Sequence, residues 1–249
     1  MGRAGASASS VSCIFFDCGS TLIDPDPSVA QQFVLVANRR GYSISLDEVE
    51  PYMPIIDRYY DMEYMKDGSF WASPSRSVEL WYDIYRFMCH LTGLTDDVEG
   101  IAHDMFVEYL KPENWMVYPD VVPTLRSLKE RGLVCAVVSN WDPSLTDLIR
   151  GLGLLPYFDE VFASAAVGYR KPDPMIFQVA CEQLRVPVSS CIHVGDNVEA
   201  DGQGAFHAGI VPCILDRRGR IPRSERERLG FPFVGSLNEV LALPQLAHE

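Results

Sequence analysis

The stretch Cys13-Ile14-Phe15-Phe16-Asp17-Cys18-Gly19-Ser20-Thr21-Leu22 limits the possible folds more than any other part of the chain. Four apolar residues without polar alternation read as a strand buried on both faces, the pattern of a parallel sheet. Asp17 then stands at the carboxyl end of that strand, where open α/β sheets place their ligands. A carboxylate there is costly to desolvate unless it meets a metal, a cation or a substrate. Read alone, the stretch fits equally an ordinary strand followed by a turn or a helix-capping Asp.

Three later stretches add to it. Leu133 to Asn140 is a second apolar run and ends in the hydroxyl of Ser139. Gly168-Tyr169-Arg170-Lys171-Pro172-Asp173-Pro174 sets Lys171 in a loop just before a helix. Cys191 to Asn197 is a third run, ending in Gly195-Asp196, with Asp201 following in the next segment. In this order the four stretches resemble the haloacid dehalogenase superfamily over about residues 12 to 215. The motifs of that family are a strand-end Asp nucleophile followed by Thr-Leu, a strand-end Ser or Thr, a Lys, and Gly-Asp with a further Asp. The sequence departs from the pattern at one position. Phosphatases of the family carry a second Asp two residues after the nucleophile, and Gly19 stands there.

The resemblance implies a three-layer Rossmann-like core with a parallel sheet and an inserted all-α helical-bundle cap. It also implies phosphatase-type chemistry on a small phosphorylated metabolite, with Asp17 as nucleophile. Mg²⁺ would be the cofactor, held by the Asp17 side chain, the backbone carbonyl of Gly19 and the Asp196 side chain. Thr21, Ser139 and Asn140 would contact the phosphate. Lys171 would offset the charge on Asp17 and on the phosphate. Asn197 and Asp201 would support Asp196 or Lys171 from behind. Gly19 can neither protonate a leaving oxygen nor activate water, so weakened activity is expected. A non-catalytic phosphate- or metal-binding protein and a 2-haloacid dehalogenase remain as alternatives.

Length and charge set outer limits. A chain of 249 residues fits two unequal domains. A net charge of −13 argues against a nucleic-acid backbone or an anionic membrane as main partner. The seven cysteines are scattered and form no CxxC pair, as expected of reduced thiols in a cytoplasmic protein. Cys18 flanks the expected nucleophile and reads either as a turn residue or as a reactive thiol. Residues 1–10 are small and polar and read as a disordered leader; no run is long enough for a membrane span.

Residues 11–24 and 117–249 are assigned to the α/β core and 25–116 to the cap. Pro25 and Pro27 mark a turn, Ser28 can cap a helix over 29–40, and Gly41 can end it. Helical spacing dominates from there to residue 116, with no strand expected. An alternating β-α pattern follows from Tyr118. The aromatics Tyr59, Tyr60, Tyr64, Phe70, Trp71, Trp81, Tyr82 and Tyr85 read mainly as bundle core, and Met65 to Ser75 as the loop that meets substrate. His193 reads as a packed residue inside its strand. The six arginines from Arg217 to Arg228 read first as a solvated face and otherwise as an anion-binding patch.

Overall fold

The computed structural model describes residues 11–66 and 69–246; the expected leader lies outside the described residues. The chain opens with β1 (Cys13–Phe16) and β2 (Ile23–Pro25). A helical insert follows, made of α1 (Val29–Arg39), α2 (Leu46–Val49), α3 (Met53–Lys66), α4 (Pro74–Leu91) and α5 (Val98–Tyr109). The rest alternates: β3 (Trp115–Val117), α6 (Val121–Glu130), β4 (Val134–Ser139), α7 (Leu145–Gly151), β5 (Glu160–Ala163), α8 (Ser164–Val167) and α9 (Met175–Leu184). Then come β6 (Cys191–Gly195), a π-helical turn (Val198–Gln203), α10 (Gly204–Ala208), β7 (Val211–Leu215), α11 (Arg223–Leu229) and β8 (Phe233–Val234).

Six strands form one parallel sheet in the order β5-β4-β1-β6-β7-β8. The β1 strand lies inside it, with Ile14 opposite Cys135 on one side and Ile192 on the other. Alternation along the strands then divides the core. Ile14, Phe16, Cys135 and Val137 face α6 and α7, with Leu125 and Ile149 among their neighbours. Cys13, Phe15, Ala136 and Val138 face α9 and α10, with Phe177 and Ala205. This is a three-layer α/β/α arrangement. Because the strands run parallel, Asp17, Ser139 and Asp196 all emerge at one edge of the sheet.

The helical insert has an apolar cluster of its own, including Phe33, Trp71, Ile84, Met88, Ile101 and Met105. Its first helix begins as the sequence indicates: Ser28 and Gln31 form a capping box, and Gly41 leaves the last turn at φ +90°. One expectation fails at the junction. Residues 23–25 and 115–117 form a two-stranded antiparallel ribbon, with Ile23 opposite Val117. The local pattern shows a proline-rich turn, because each strand is three residues long and its partner lies on the far side of the insert. Among the described residues, no helix is long and apolar enough to cross a membrane.

The arginine segment also differs from an open cationic patch. Arg217 donates two hydrogen bonds to the Asp120 carboxylate at 2.8 and 2.9 Å and a third to the Thr21 carbonyl, and it stacks 4.0 Å from the Tyr118 ring. Arg218 pairs with Asp24, Arg223 with Glu227, Arg226 with Asp216 and Arg228 with Glu225. Arg217 thus ties the loop after β1 to the start of α6. Arg217→Ala leaves a half-buried Asp120 without its cation and is expected to lower unfolding free energy by about 2 kcal/mol. Arg217→Lys should recover less than half, because an ammonium cannot reproduce the planar fork. Urea unfolding measures both; a loss under about 0.5 kcal/mol, the range of exposed pairs, would show that this pair contributes little.

Candidate active site

Asp17 follows the last residue of β1, and its backbone N–H still bonds the Val194 carbonyl. Past it the chain turns sharply: the Cys18 carbonyl accepts from the N–H groups of Leu22 and Ile23, and Ser20 takes the left-handed conformation at φ 56°. The Asp17 Oδ1 atom accepts from Ser139 Oγ at 2.9 Å and from Lys171 Nζ at 2.6 Å. Lys171 is fully buried and also donates to Asp201 Oδ1 at 2.6 Å. Asp201 is held in turn by His193 Nε2 at 2.8 Å and by the Asn197 N–H at 2.9 Å. Gly195 makes this approach possible. A Cβ there would lie 2.2 Å from the Asp201 carboxyl carbon.

Three carboxylates, Asp17, Asp196 and Asp201, bring oxygens within 4.8 Å of one another. The neighbouring cation is Lys171. Burial works against every charge here. It raises Asp17 despite Lys171. It opposes the charge of Asp201, but Lys171 and His193 hold that carboxyl well below the usual range. It opposes the charge of Lys171 too, but Asp17 and Asp201 keep the ammonium above its usual value. Burial lowers His193, which stays neutral. For Asp196 the pull of Lys171 is outweighed: burial, then Asp17 and Asp201, push it up to about 8. Crowded, hard, oxygen-only ligands with an excess of negative charge fit a divalent cation such as Mg²⁺. Asp17, Asp196 and Asp201 form the cluster that could hold it.

Other expected residues fall differently. Thr21 is fully buried, its hydroxyl has no partner among the described residues, and it does not line the site cavity. It is therefore not placed as a phosphate donor; the tight turn directs Ser20 into the cavity instead. Asn140 lines the cavity, yet its amide forms a reciprocal pair with the backbone of Lys171, at 2.8 and 2.9 Å. It holds the lysine loop in place. Asn197 caps the π-helical turn, accepting from the N–H groups of Glu199 and Ala200. Cys18 lies in the core with its thiol pushed up by burial, which removes the reactive-thiol reading. Gly19 keeps an ordinary φ. What restricts it is space, since a Cβ would sit 3.3 Å from the Trp141 ring.

The site opens into a cavity of about 400 Å³ between the sheet edge and the helical insert. From the insert come Tyr60, Asp61, Tyr64, Trp71, Trp81 and Tyr109. Four of the eight aromatics read mainly as bundle core therefore line the cavity, while the expected contact loop contributes Trp71 alone among its described residues. Tyr64 also reaches the core: its hydroxyl donates to the Lys171 carbonyl at 3.0 Å, and Arg170 stacks 4.0 Å from its ring. Beside Lys171 in a loop, Arg170 is not left open to solvent. It is half-buried because the insert covers it.

A parallel α/β sheet whose strand ends gather a lysine-held Asp and two further carboxylates defines a class of enzyme-like folds built around one acidic strand terminus. The model of the haloacid dehalogenase-like hydrolase family matches residues 11–209, and the chain belongs to that family. Haloacid dehalogenase-like hydrolase domain-containing protein 3 of Danio rerio is 31% identical over 82% of this chain and 85% of that protein. Glyceraldehyde 3-phosphate phosphatase of Methanopyrus kandleri is 39% identical over 47% of this chain and 48% of that one. A magnesium-bound HAD-hydrolase structure from Bacillus subtilis superposes with a TM-score of 0.73 at 18% identity, covering 94% of this chain and 98% of that chain; it shares the fold.

The crowding of Asp196 has a measurable sign. Its value in the folded, metal-free protein lies above the ordinary 3.8, so the native state keeps a proton that the unfolded chain releases. Stability owed to this group is full at low pH and is lost as pH rises from about 4 to about 8. Asp196→Asn cannot ionise. In EDTA its melting temperature should gain on the native protein steadily across that interval and level off above it, by several degrees at roughly 2–4 °C per kcal/mol. Thermal scans at matched pH test this, and a pH-independent difference would mean that Asp196 is not crowded.

Proposed function

We propose that the protein is a Mg²⁺-dependent phosphatase that acts on a small phosphorylated metabolite through an aspartyl-phosphate on Asp17. The observation that carries this reading is the clamp on Asp17. Ser139 and Lys171 both bond Oδ1, while Oδ2 receives no hydrogen bond from any described residue. In this reading Oδ2 attacks phosphorus, and the ester P–O bond breaks with its electron pair leaving on the ester oxygen. Water then attacks the acyl phosphate, returning the carboxylate and inorganic phosphate. Lys171 favours the charged form of Asp17 against the effect of burial and offsets charge on the phosphate, with Ser139 holding the carboxylate at a fixed angle. The Asp17 and Asp196 side chains and the Gly19 carbonyl would hold Mg²⁺, which would supply compensation for the phosphate's negative charge. Asp201 and Asn197 support this set through Lys171 and the turn after β6. The segment 25–116 acts as the cap that closes the cavity.

Acetyl phosphate suits the first test, because its leaving group departs without a proton. The native protein should hydrolyse it only with Mg²⁺, and Asp17→Asn should lower kcat at least ~10³-fold, the scale for losing a nucleophile. Equal activity in the variant would remove Asp17 from the chemistry. Gly19→Asp restores the acid that the family's phosphatases carry. If the Trp141 ring yields by a few tenths of an ångström, the variant should hydrolyse alkyl phosphates faster, with a ceiling of ~10² to 10⁴. No gain, with Mg²⁺ binding intact, would show that proton supply does not limit the reaction.

A second reading has one observation in its favour. The namesake dehalogenases of the family also lack an Asp at the position held here by Gly19. Chloride release from 2-chloropropionate in EDTA, with no phosphatase activity, would establish it instead.

A further inference from the structure

The cavity wall opposite Asp17 holds an unusual set of donors. Aromatic rings form a continuous surface there: Trp81 and Tyr109 lie 4.9 Å apart, Tyr109 stacks on Trp141 at 5.7 Å, and Trp115 meets Trp141 at 5.3 Å. Nearly every polar atom of these rings is engaged. The Tyr109 hydroxyl donates to Asp142 at 2.9 Å, Trp115 Nε1 to the Tyr109 carbonyl at 2.8 Å, and Trp71 Nε1 to the Tyr60 hydroxyl at 3.0 Å. Two are not. The Nε1–H groups of Trp81 and Trp141 are buried and have no acceptor among the described residues. Trp141 as a whole is 7% exposed, and its ring is the one that crowds Gly19. A buried N–H without a partner carries a desolvation penalty that a ligand acceptor relieves.

An indole N–H donates a hydrogen bond but does not give up its proton. Where related phosphatases place a carboxylic acid, this protein therefore offers the carbon edge of an indole ring, with its neutral donor elsewhere on that ring. Two carboxylates line the cavity outside the Asp17–Asp196–Asp201 cluster. Asp24 accepts from the Tyr118 hydroxyl and pairs with Arg218. Asp61 lies on the exposed side of α3.

We infer that the site takes phosphate esters of planar, acidic hydroxyl groups, that is, aryl phosphates whose ring lies against the aromatic wall of the cavity. The inference rests on the phosphatase reading above and specifies its substrate class. Asp17 displaces the phenolate, the P–O bond breaks with its electron pair on the phenolic oxygen, and the indole N–H groups hydrogen-bond ring oxygens. The phenolate departs as the anion and takes its proton from solvent.

Phenyl and cyclohexyl phosphate have the same ring size but different ring electronics and leaving groups. Their phosphonate analogues cannot turn over and report binding alone. Phenylphosphonate should inhibit acetyl phosphate hydrolysis roughly tenfold more strongly than cyclohexylphosphonate, from stacking. Phenyl phosphate should exceed cyclohexyl phosphate in kcat/KM by ~10² or more, the scale of the missing proton donor. Trp141→Phe and Trp81→Phe keep a ring and remove the donor. Each should lower affinity for 4-hydroxyphenylphosphonate about tenfold, the scale of one buried hydrogen bond, and affect phenylphosphonate less. Equal phosphonate inhibition, with Asp17-dependent acetyl phosphate hydrolysis intact, overturns the inference and leaves the phosphatase reading standing. Absent acetyl phosphate hydrolysis defeats that reading, and direct phosphonate titration then still decides whether the wall selects planar rings. Brisk cyclohexyl phosphate turnover that Asp61→Asn abolishes also overturns the inference, by making Asp61 the acid.

Discussion

Everything at the sheet edge depends on one buried ammonium. Lys171 Nζ lies between Asp17 and Asp201, 2.6 Å from each, with essentially no exposure. Desolvating a lysine is tolerable only when its hydrogen bonds are met by charge, and desolvating either carboxylate only when a cation meets it. Each of the three groups therefore requires the others. The sheet supplies Asp17 from β1, the loop after α8 supplies Lys171, and the π-helical turn after β6 supplies Asp201. The surrounding structure serves to keep those three elements in register. Asn140 fixes the lysine's backbone from β4, Gly195 clears space for Asp201, and His193 bonds Asp201 from within the sheet.

The arrangement leaves charge unbalanced in a directed way. Asp201 is satisfied on both oxygens. Asp17 is satisfied on one. Asp196 is raised by burial and then by its neighbours, and is the carboxyl most in need of a cation. The gradient runs from the interior toward the cavity. A site built this way holds its inner carboxylate rigidly and presents its outer ones to whatever enters.

The sequence showed where the polar residues of the core would lie, because parallel strands bring their carboxyl ends to one edge whatever the loops between them do. Asp17, Ser139 and Asp196 could therefore be grouped from three separated strand ends, and the family resemblance added Lys171 from a loop. The parts that were not legible depend on contacts between distant segments. Thr21 follows a strand end like its neighbours, but the hydrogen bonds to the Cys18 carbonyl curl the turn so that Ser20 faces the cavity. Gly19 stands out in the sequence only as a missing Asp, whereas its restriction comes from Trp141, far along the chain. Periodicity could not show which aromatic rings of the insert face inward, since α3 and α4 present rings on several sides and only packing on the core chooses among them.

The short ribbon between Ile23–Pro25 and Trp115–Val117 has a broader consequence. It joins the chain that has just left β1 and the chain returning toward β4 side by side. To the six-stranded core, the whole segment between them is a single loop closed at its base. The ladder contacts of β1 with β4 and β6 are made entirely below that closure. Length, helix number and wall chemistry above it can change while the strand registers stay as they are. The insert's side of the cavity and the carboxylate cluster at the strand ends are thus separately variable parts of one chain.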